Sequence, residues 1–183
     1  MNATASTSPD FRVLPRAQIV RSKTIPALGA PMEGGYFHGV VLIDGQLWGE
    51  VTGPKADCHV EGLAWHPDYT DIAGASSDFD GLANTRAMAA AGSPLAEAAL
   101  ACRSGGHDDW AIPARASQLL QWGNLRPLLS AEEAFATKWH WSSTQFSRDY
   151  AFYQVFDDGY SDSVDKSWDG GCARFVRRFP LGH

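Results

Sequence analysis

The sequence predicts a single α+β domain built from short strands, short helices and long loops. The chain of 183 residues contains seven tryptophans, nine phenylalanines, five tyrosines and 18 glycines, a mixture typical of short strands and turns rather than of a helical bundle. Two Asp-Gly dipeptides are each flanked by strand-forming residues, and consecutive segments between them carry helix start and stop signals. With 44% hydrophobic residues, the chain is long enough to enclose one sizeable core.

Each Asp-Gly dipeptide predicts a β-hairpin. In YFHGVVLIDGQLWGEV, residues 44–45 supply the positive φ angles of a tight turn. In AFYQVFDDGYSDSV, residues 158–159 predict a second turn. Alternation alone leaves Tyr153 equally compatible with the core and with the surface. The strand before this turn has two faces, Phe152, Gln154 and Phe156 against Ala151, Tyr153 and Val155.

Three short helices are predicted in the middle of the chain. The segment ANTRAMAAAG begins after a cap at Asn84 or Thr85 and ends at the following glycine. The segment SPLAEAALACRSGG has Ser93 as its N-cap and Pro94 at the first helical position. A third helix is predicted over about residues 115–122.

The rest of the chain is predicted as loop, arm and one closing strand. Residues 52–80 read as a long loop that Trp65 and Tyr69 anchor, and ARFVRRFP is predicted as the last strand. Residues 1–24 form an N-terminal arm, which either docks on a partner subunit or is a disordered tail. Residues 25–183 form the domain.

Charge and hydropathy exclude two classes of partner. The net charge of −6 and the absence of a basic stripe before Arg174, Arg177 and Arg178 argue against nucleic-acid binding. No run approaches the roughly 20 apolar residues that cross a bilayer, so no membrane insertion is expected. The start MNATASTSPDF lacks the basic and apolar regions of a signal peptide, so we expect no Sec-dependent export.

The three cysteines leave two readings open. They are too few for a disulfide scaffold and too widely spaced for a zinc knuckle. Buried free thiols are one reading. The other is a disulfide between Cys102 and Cys172, which requires an oxidising environment such as a particle outside the cell.

The segment GGHDDWAIPAR suggests a small metal or catalytic site, but its residues also suit a turn. The two glycines end a helix, the aspartates accept backbone N–H bonds, the tryptophan enters the core and the proline starts the next helix. A metal at His107 would need distant ligands such as His59, His66 or His140, and no spacing indicates them. We therefore interpret the segment as a structural turn made by Gly105, Gly106, Asp108, Asp109, Trp110 and Pro113.

Neither a catalytic nucleophile nor a cofactor is predicted. Ser142 and Ser143 follow a histidine, yet no G-x-S-x-G motif surrounds them. A group of aspartates lies between residues 157 and 169, without the spacing of an EF-hand. A solvated acidic face is the preferred reading and calcium binding is the alternative.

Five motifs occur in a fixed order along the chain. They are GGYFHGVVLIDG, DGLANTRAMAAAGSP, GGHDDWAIPAR, WHWSSTQFSRDYAFYQVFDDG and ARFVRRFP. Together they resemble the domain found at the C-terminus of the Legionella collagen-like adhesin and in many bacteriophage proteins, over about residues 26–181. The resemblance implies a C-type-lectin-like fold of the formylglycine-generating-enzyme branch, with two helices on a small, twisted antiparallel sheet and long loops at one end. It also implies a receptor-binding or structural phage protein.

Two motifs that are missing from the sequence limit the functions that the resemblance implies. The calcium-dependent lectin signatures E-P-N, Q-P-D and W-N-D do not occur in the sequence. The closely placed cysteine pair of the formylglycine-generating enzymes does not occur either. The sequence thus favours recognition without catalysis.

We therefore expect a non-enzymatic, lectin-like module of a phage virion, such as a tail-fibre, receptor-binding or decoration protein. Its expected partners are a host surface glycan or protein and other virion subunits, which the N-terminal arm contacts in a homo-oligomer such as a trimer. A purely structural capping protein, and an oxidase or metal-dependent enzyme on the same fold, are the alternatives. Tyrosine and tryptophan provide large contact areas at low entropic cost. The candidate ligand-binding residues are Trp139, Trp141, Arg148, Tyr150, Tyr153, Tyr160, Asp162, Asp165 and Trp168.

Overall fold

Two sheets form the frame of the molecule in the computed structural model, which describes residues 25–181. The predicted N-terminal arm lies outside the described residues. The strands are β1 Pro31–Met32, β2 Gly35–Ile43, β3 Gln46–Thr52, β4 His59–Glu61, β5 Trp139–Gln145, β6 Tyr150–Val155, β7 Ser161–Asp165, β8 Cys172–Arg174 and β9 Val176–Pro180. The helices are α1 Lys55–Cys58, α2 Gly81–Ala90, α3 Pro94–Ala101 and α4 Arg115–Leu120.

The strands divide between a four-stranded and a five-stranded sheet. The first sheet has the order β1-β2-β3-β9, and the second has the order β4-β8-β5-β6-β7. All pairs are antiparallel except β5 and β8, which pair in parallel at His140 and Cys172. The predicted α+β class with antiparallel strands and few helices is confirmed, whereas the prediction of a single sheet is wrong.

Both predicted hairpins are present. Strands β2 and β3 are joined by Asp44 and Gly45 with φ angles of 51° and 79°. This is the pair of positive φ angles that a tight two-residue hairpin turn requires. Strands β6 and β7 flank a longer turn, in which Gly159 has a φ of 82°. Local turn chemistry therefore fixes both hairpins.

The helix predictions are confirmed in position but wrong in several boundaries. Helix α3 begins as predicted, since the Ser93 side chain accepts a hydrogen bond from the Ala96 N–H. Helix α2 is capped by Asp80, whose side chain accepts from the Ala83 N–H, so the predicted cap at Asn84 or Thr85 is wrong. Both of those residues lie inside the helix and are buried.

The third helix begins at the predicted residue, Arg115, but ends earlier than predicted. Helix α4 starts at Arg115 after the N-cap Ala114, so Pro113 precedes the helix rather than opening it. The α-helix ends at Leu120 and continues as a π-type turn over Gln121–Leu125. This turn brings Gln121 against Thr52, to whose hydroxyl its side-chain amide donates at 3.0 Å. The helix is therefore shorter at its C-terminal end than the prediction.

The predicted closing strand is two strands in different sheets. Strand β8 belongs to the second sheet and β9 to the first, and Phe175 separates them. The Phe175 N–H donates to the Cys58 carbonyl at 2.8 Å, and its carbonyl accepts from the Gly53 N–H at 3.0 Å. Because its side chain is buried, Phe175 anchors the crossing between the sheets.

One hydrophobic cluster joins the two sheets and the helices. It contains Phe37 and Val51 from the first sheet and Trp141 from the second. Helices α2 and α3 contribute Met88 and Leu95. Within residues 25–181, no helix combines the length and the hydropathy needed to cross a membrane.

The GGHDDWAIPAR segment forms a corner against the first sheet. Gly105 and Gly106 have φ angles of 61° and 79°, and Trp110 is fully buried with its indole N–H donating to the Ser104 carbonyl at 3.2 Å. Asp109 was expected to accept backbone N–H bonds, but its carboxylate binds the Arg177 guanidinium of β9 instead. Asp108 is exposed. The segment is thus tied to β9 by an ion pair.

Candidate functional site

The structure separates the predicted ligand-binding residues into two surface groups, one core residue and one exposed turn residue. The first group is called here the aromatic row and consists of Trp139, Tyr153 and Tyr160. Its ring centroids lie 5.4 Å apart between Trp139 and Tyr153 and 6.4 Å apart between Tyr153 and Tyr160. Strands β5 and β6 position the first two residues, and the β6–β7 turn positions the third. The row runs from the central strand β5 across β6 to the β6–β7 turn. Tyr160 is exposed, whereas Trp139 and Tyr153 are half-buried and pack against the core.

A carboxylate completes the aromatic row. Asp162 lies opposite Tyr153 across β6 and β7 and accepts a hydrogen bond from the Tyr160 hydroxyl at 2.7 Å. This bond raises the pKa of Tyr160 and lowers the pKa of Asp162. Burial, followed by the charge of Asp162, raises the pKa of Tyr153. At neutral pH both phenols are therefore protonated and Asp162 is ionised, and the Tyr160 hydroxyl proton is donated to Asp162.

The second surface group lies at the other end of β6 and β7. Tyr150 pairs with Asp165 across the strands, and Asp165 accepts from the Tyr69 hydroxyl at 2.6 Å. The Arg148 guanidinium donates to the Tyr69 carbonyl at 3.0 Å. Because Tyr150 and Tyr153 are three positions apart on one strand, they point to opposite faces of the sheet. The two groups therefore form separate surfaces.

Tyr69 belongs to the second group although the sequence predicted it as a loop anchor. Its side chain is exposed, and its only signal in the sequence was its place in a loop of otherwise small and polar residues. Trp168 follows β7 and is 59% exposed. The sequence contains no signal that Tyr69 contacts Asp165 of β7, because the two residues are 96 positions apart.

Trp141 is a core residue, so its predicted role in ligand binding is wrong. Its side chain has no exposed surface, and its indole N–H donates to the Leu63 carbonyl at 3.2 Å. The ring of Trp139 packs edge-on against it, with centroids 4.5 Å apart. Trp139 reaches the surface because it packs over Trp141. Alternation placed both tryptophans on one face without showing which of them is covered.

The carboxylates of Asp162 and Asp165 are engaged by protein donors. Asp162 accepts from the Ser163 N–H as well as from Tyr160. Asp165 accepts from the N–H and the hydroxyl of Ser167 as well as from Tyr69. These bonds hold both carboxylates in fixed positions on the surface. The calcium alternative stays a prediction.

The sequence suggested Cys102 and Cys172 as a pair, but in the structure Cys102 lies next to Cys58. The Cys102 sulfur lies 3.5 Å from the sulfur of Cys58, and all three cysteines are free thiols. Cys172 lies on β8, where its thiol donates to the Trp139 carbonyl at 3.5 Å. A disulfide between Cys102 and Cys172 is therefore wrong for this fold. Burial is the largest of the causes that raise the pKa of Cys58, which keeps its thiol protonated.

One group of potential metal ligands occurs among residues 25–181, and it is buried. His59, His140 and Cys172 each offer a ligand atom, and these atoms lie within 4.8 Å of one another. Burial is the main cause that lowers the pKa of His140 to about 3, and burial also raises the pKa of Cys172 to about 12. From the sequence, His59 and His140 were candidate ligands for a metal at His107. Nothing in the sequence connects them with Cys172. His107 packs against Gly34 at the GGHDDWAIPAR corner.

No protein-family model and no curated protein sequence matches the chain. The fold itself defines a class, that of mixed α+β proteins with curled antiparallel sheets and few helices. Many unrelated functions occur on one fold, so a function must be inferred from the side chains of the site. The aromatic row and the buried histidine–cysteine group are the two arrangements with chemical consequences.

Proposed function

We propose that the chain is a non-enzymatic recognition module with a C-type-lectin-like fold, and that the aromatic row binds a glycan on a bacterial surface. The observation that carries the proposal is the row itself. Three aromatic rings, Trp139, Tyr153 and Tyr160, lie side by side at 5.4 and 6.4 Å, with the Asp162 carboxylate beside them. Aromatic faces stack on the apolar faces of sugar rings, and carboxylates accept hydrogen bonds from sugar hydroxyls.

The chemistry of the row supports recognition rather than catalysis. Its phenols have raised pKa values and therefore stay protonated, so they donate hydrogen bonds and do not act as bases near neutral pH. Asp162 has a lowered pKa and stays ionised. A row with fixed donors and acceptors and no proton to transfer fits a binding surface.

The setting of the module is a bacteriophage particle in this proposal, as a tail-fibre, receptor-binding or decoration component. The support is the resemblance of the five ordered motifs between residues 26 and 181 to phage-associated domains. A module at the surface of a virion meets the host envelope first, where glycans are the most accessible ligands. The position of the row on strands β5 and β6, rather than on a mobile segment, suits such repeated contacts.

Glycan binding by purified full-length protein tests the proposal. An array of bacterial surface glycans identifies a ligand, and titration then compares wild type with Tyr160→Ala and Tyr150→Ala. Both tyrosines are exposed, at 53% and 45%, and they lie in different surface groups. We expect Tyr160→Ala to weaken binding about 10-fold or more, because truncating an aromatic side chain that contacts a ligand often costs about 1.4 kcal/mol or more.

The Tyr150→Ala variant is the matched control and is expected to bind within about 2-fold of wild type. Equal losses in the two variants would place the ligand elsewhere and contradict the role of the row. Absence of binding to every glycan and to intact host cells, by protein that is folded by circular dichroism, would contradict recognition altogether. Cell binding without array binding would replace the glycan by a protein receptor.

A further inference from the structure

The buried group of His59, His140 and Cys172 is assembled by three neighbouring strands of the second sheet. Cys172 on β8 is the direct partner of His140 on β5. On the other side of β8, Cys172 pairs with Glu61 of β4, so His59 is its diagonal neighbour two positions away. Residues two positions apart on a strand share a face. The three side chains therefore converge on one face of the sheet.

Among residues 25–181, three of the four histidine ring nitrogens in this group lack a hydrogen-bond partner. Both ring nitrogens of His140 and Nδ1 of His59 are buried, and none has a hydrogen-bond partner among residues 25–181. His140 is 1% exposed. Buried polar atoms are almost always paired in folded proteins, so three unpaired nitrogen atoms at one point of the sheet indicate a missing ligand.

The other ring nitrogen of His59 is held as it is in metal-binding histidines. Nε2 of His59 lies 3.1 Å from a Glu61 carboxylate oxygen, and the second Glu61 oxygen accepts from Lys138 at 2.7 Å. A carboxylate acceptor on Nε2 fixes the proton there and leaves Nδ1 free to coordinate, which is the usual support of a histidine ligand.

We propose that a zinc ion binds to His59 Nδ1, one ring nitrogen of His140 and the Cys172 sulfur. The ion would cross-link strands β4, β5 and β8. Nitrogen and thiolate donors in tetrahedral geometry suit Zn²⁺, which binds histidine at about 2.0–2.1 Å and cysteine at about 2.3 Å. Those bond lengths bring the three ligand atoms to about 3.3–3.6 Å from one another. Small side-chain rotations achieve this from the present separation of at most 4.8 Å.

Binding releases one proton from the ligands. The Cys172 thiol gives up its proton to solvent and coordinates as a thiolate, whereas the two histidines coordinate as neutral imidazoles. Arg174, which packs over the Phe135 ring next to His140, is paired with the Glu133 carboxylate. The fourth tetrahedral position takes water from the side of His59, whose side chain is 11% exposed.

Zinc binding is measured on the purified full-length chain. After treatment with a chelator, the protein is titrated with Zn²⁺ alone and its bound metal is determined by elemental analysis. We expect one zinc per chain and a rise in Tm of roughly 5–10 °C at free zinc about 100-fold above Kd. Substitution by Co²⁺ is expected to give the thiolate charge-transfer absorption of a Cys-ligated tetrahedral ion, which Cys172→Ser removes.

Two control variants match the site residues in type and burial. His66 is a buried histidine whose ring nitrogens both have partners at 2.9 Å, and Cys102 is a buried cysteine outside the group. His66→Gln and Cys102→Ser are expected to keep zinc binding, whereas His59→Gln and Cys172→Ser each lose it. His59→Gln is the variant least disturbed in folding, because its side chain reaches solvent.

Three results would overturn the proposal. The first is a folded, chelator-treated wild type that takes up less than about 0.1 zinc per chain. The second is zinc binding that persists in folded His59→Gln or that is lost equally in His66→Gln. The third is a cobalt complex without the thiolate absorption. Uptake of another metal in place of zinc would overturn the assignment of the ion.

Discussion

Gly105 shows how a single residue limits what the GGHDDWAIPAR corner can accept. Its φ of 61° favours glycine, and a Cβ atom built there would lie 2.5 Å from the Gly34 Cα. Gly106 has a similar φ of 79°, but its Cβ position has nothing within 4 Å. The two neighbours therefore share the backbone requirement and differ only in the space around them.

We predict that Gly105→Ala destabilises the protein by about 3 kcal/mol and Gly106→Ala by about 1 kcal/mol. The shared cost is the left-handed backbone conformation, and the additional cost is the contact between two backbones, which no side-chain rotation relieves. Urea denaturation of both variants measures the difference. Equal losses of unfolding free energy would show that the corner moves apart freely and would refute the packing argument.

Lys166 carries a buried charge whose effect on stability depends on pH. It has no exposed surface, and its ammonium group donates to the carbonyls of Thr70 and Arg148 and to the side chain of Gln145, at 2.6–2.9 Å. Burial is the main cause that lowers its pKa from 10.5 to about 8. The native state therefore releases this proton at a lower pH than the unfolded chain does.

We predict that this lysine makes the protein more stable as the pH rises from about 8 to 10.5. In that window the unfolded state binds more protons than the native state, so the free energy of unfolding increases with pH. Lys166→Met lacks this contribution. Urea denaturation at several pH values measures the unfolding free energy of both proteins. The value for wild type minus the value for Lys166→Met should increase as the pH rises across the window. A constant difference would contradict the lowered pKa.

At the scale of the element, the predictions that the structure confirms depend on local chemistry. The hairpin at Asp44 and Gly45 and the helix start at Ser93 and Pro94 depend on residues a few positions apart, and both are present. The change of sheet at Phe175 was not predicted, because the sequence from Ala173 and Arg174 into β9 has an uninterrupted strand pattern. Only the packing of Phe175 against Gly53 and Cys58, over 100 residues away, separates the two strands.

The candidate sites show the same division between local and distant information. Exposure of Tyr160 followed from its place beside a turn, and that part of the site could be predicted. Burial of Trp141 could not, because it depends on the loop carbonyl of Leu63. The histidine–cysteine group comes from three strands separated by 81 and 32 positions, as the residue numbers 59, 140 and 172 show. Ligands that far apart leave no spacing signal.

At the scale of the whole molecule, the two sheets depend on one core. The hydrophobic cluster joins Phe37 and Val51 of the first sheet to Trp141 and Ala151 of the second. Strands β8 and β9 are consecutive, so the chain passes directly from one sheet to the other through Phe175. A bridge between Ala111 and Val176 also ties the GGHDDWAIPAR corner to β9. We therefore expect that neither sheet keeps its packing once the other has unfolded.

We predict that the protein unfolds in one cooperative step despite its two sheets. Tryptophan fluorescence reports on tertiary packing in both sheets and far-UV circular dichroism reports on the backbone, so their urea transitions should coincide. Phe175→Ala removes the aromatic anchor between β8 and β9 and should lower stability by about 3–5 kcal/mol. Both probes should shift together in this variant. Separate transitions in wild type, or a shift of one probe alone, would mean that the sheets are independent units, because a shared core cannot be lost from one side only.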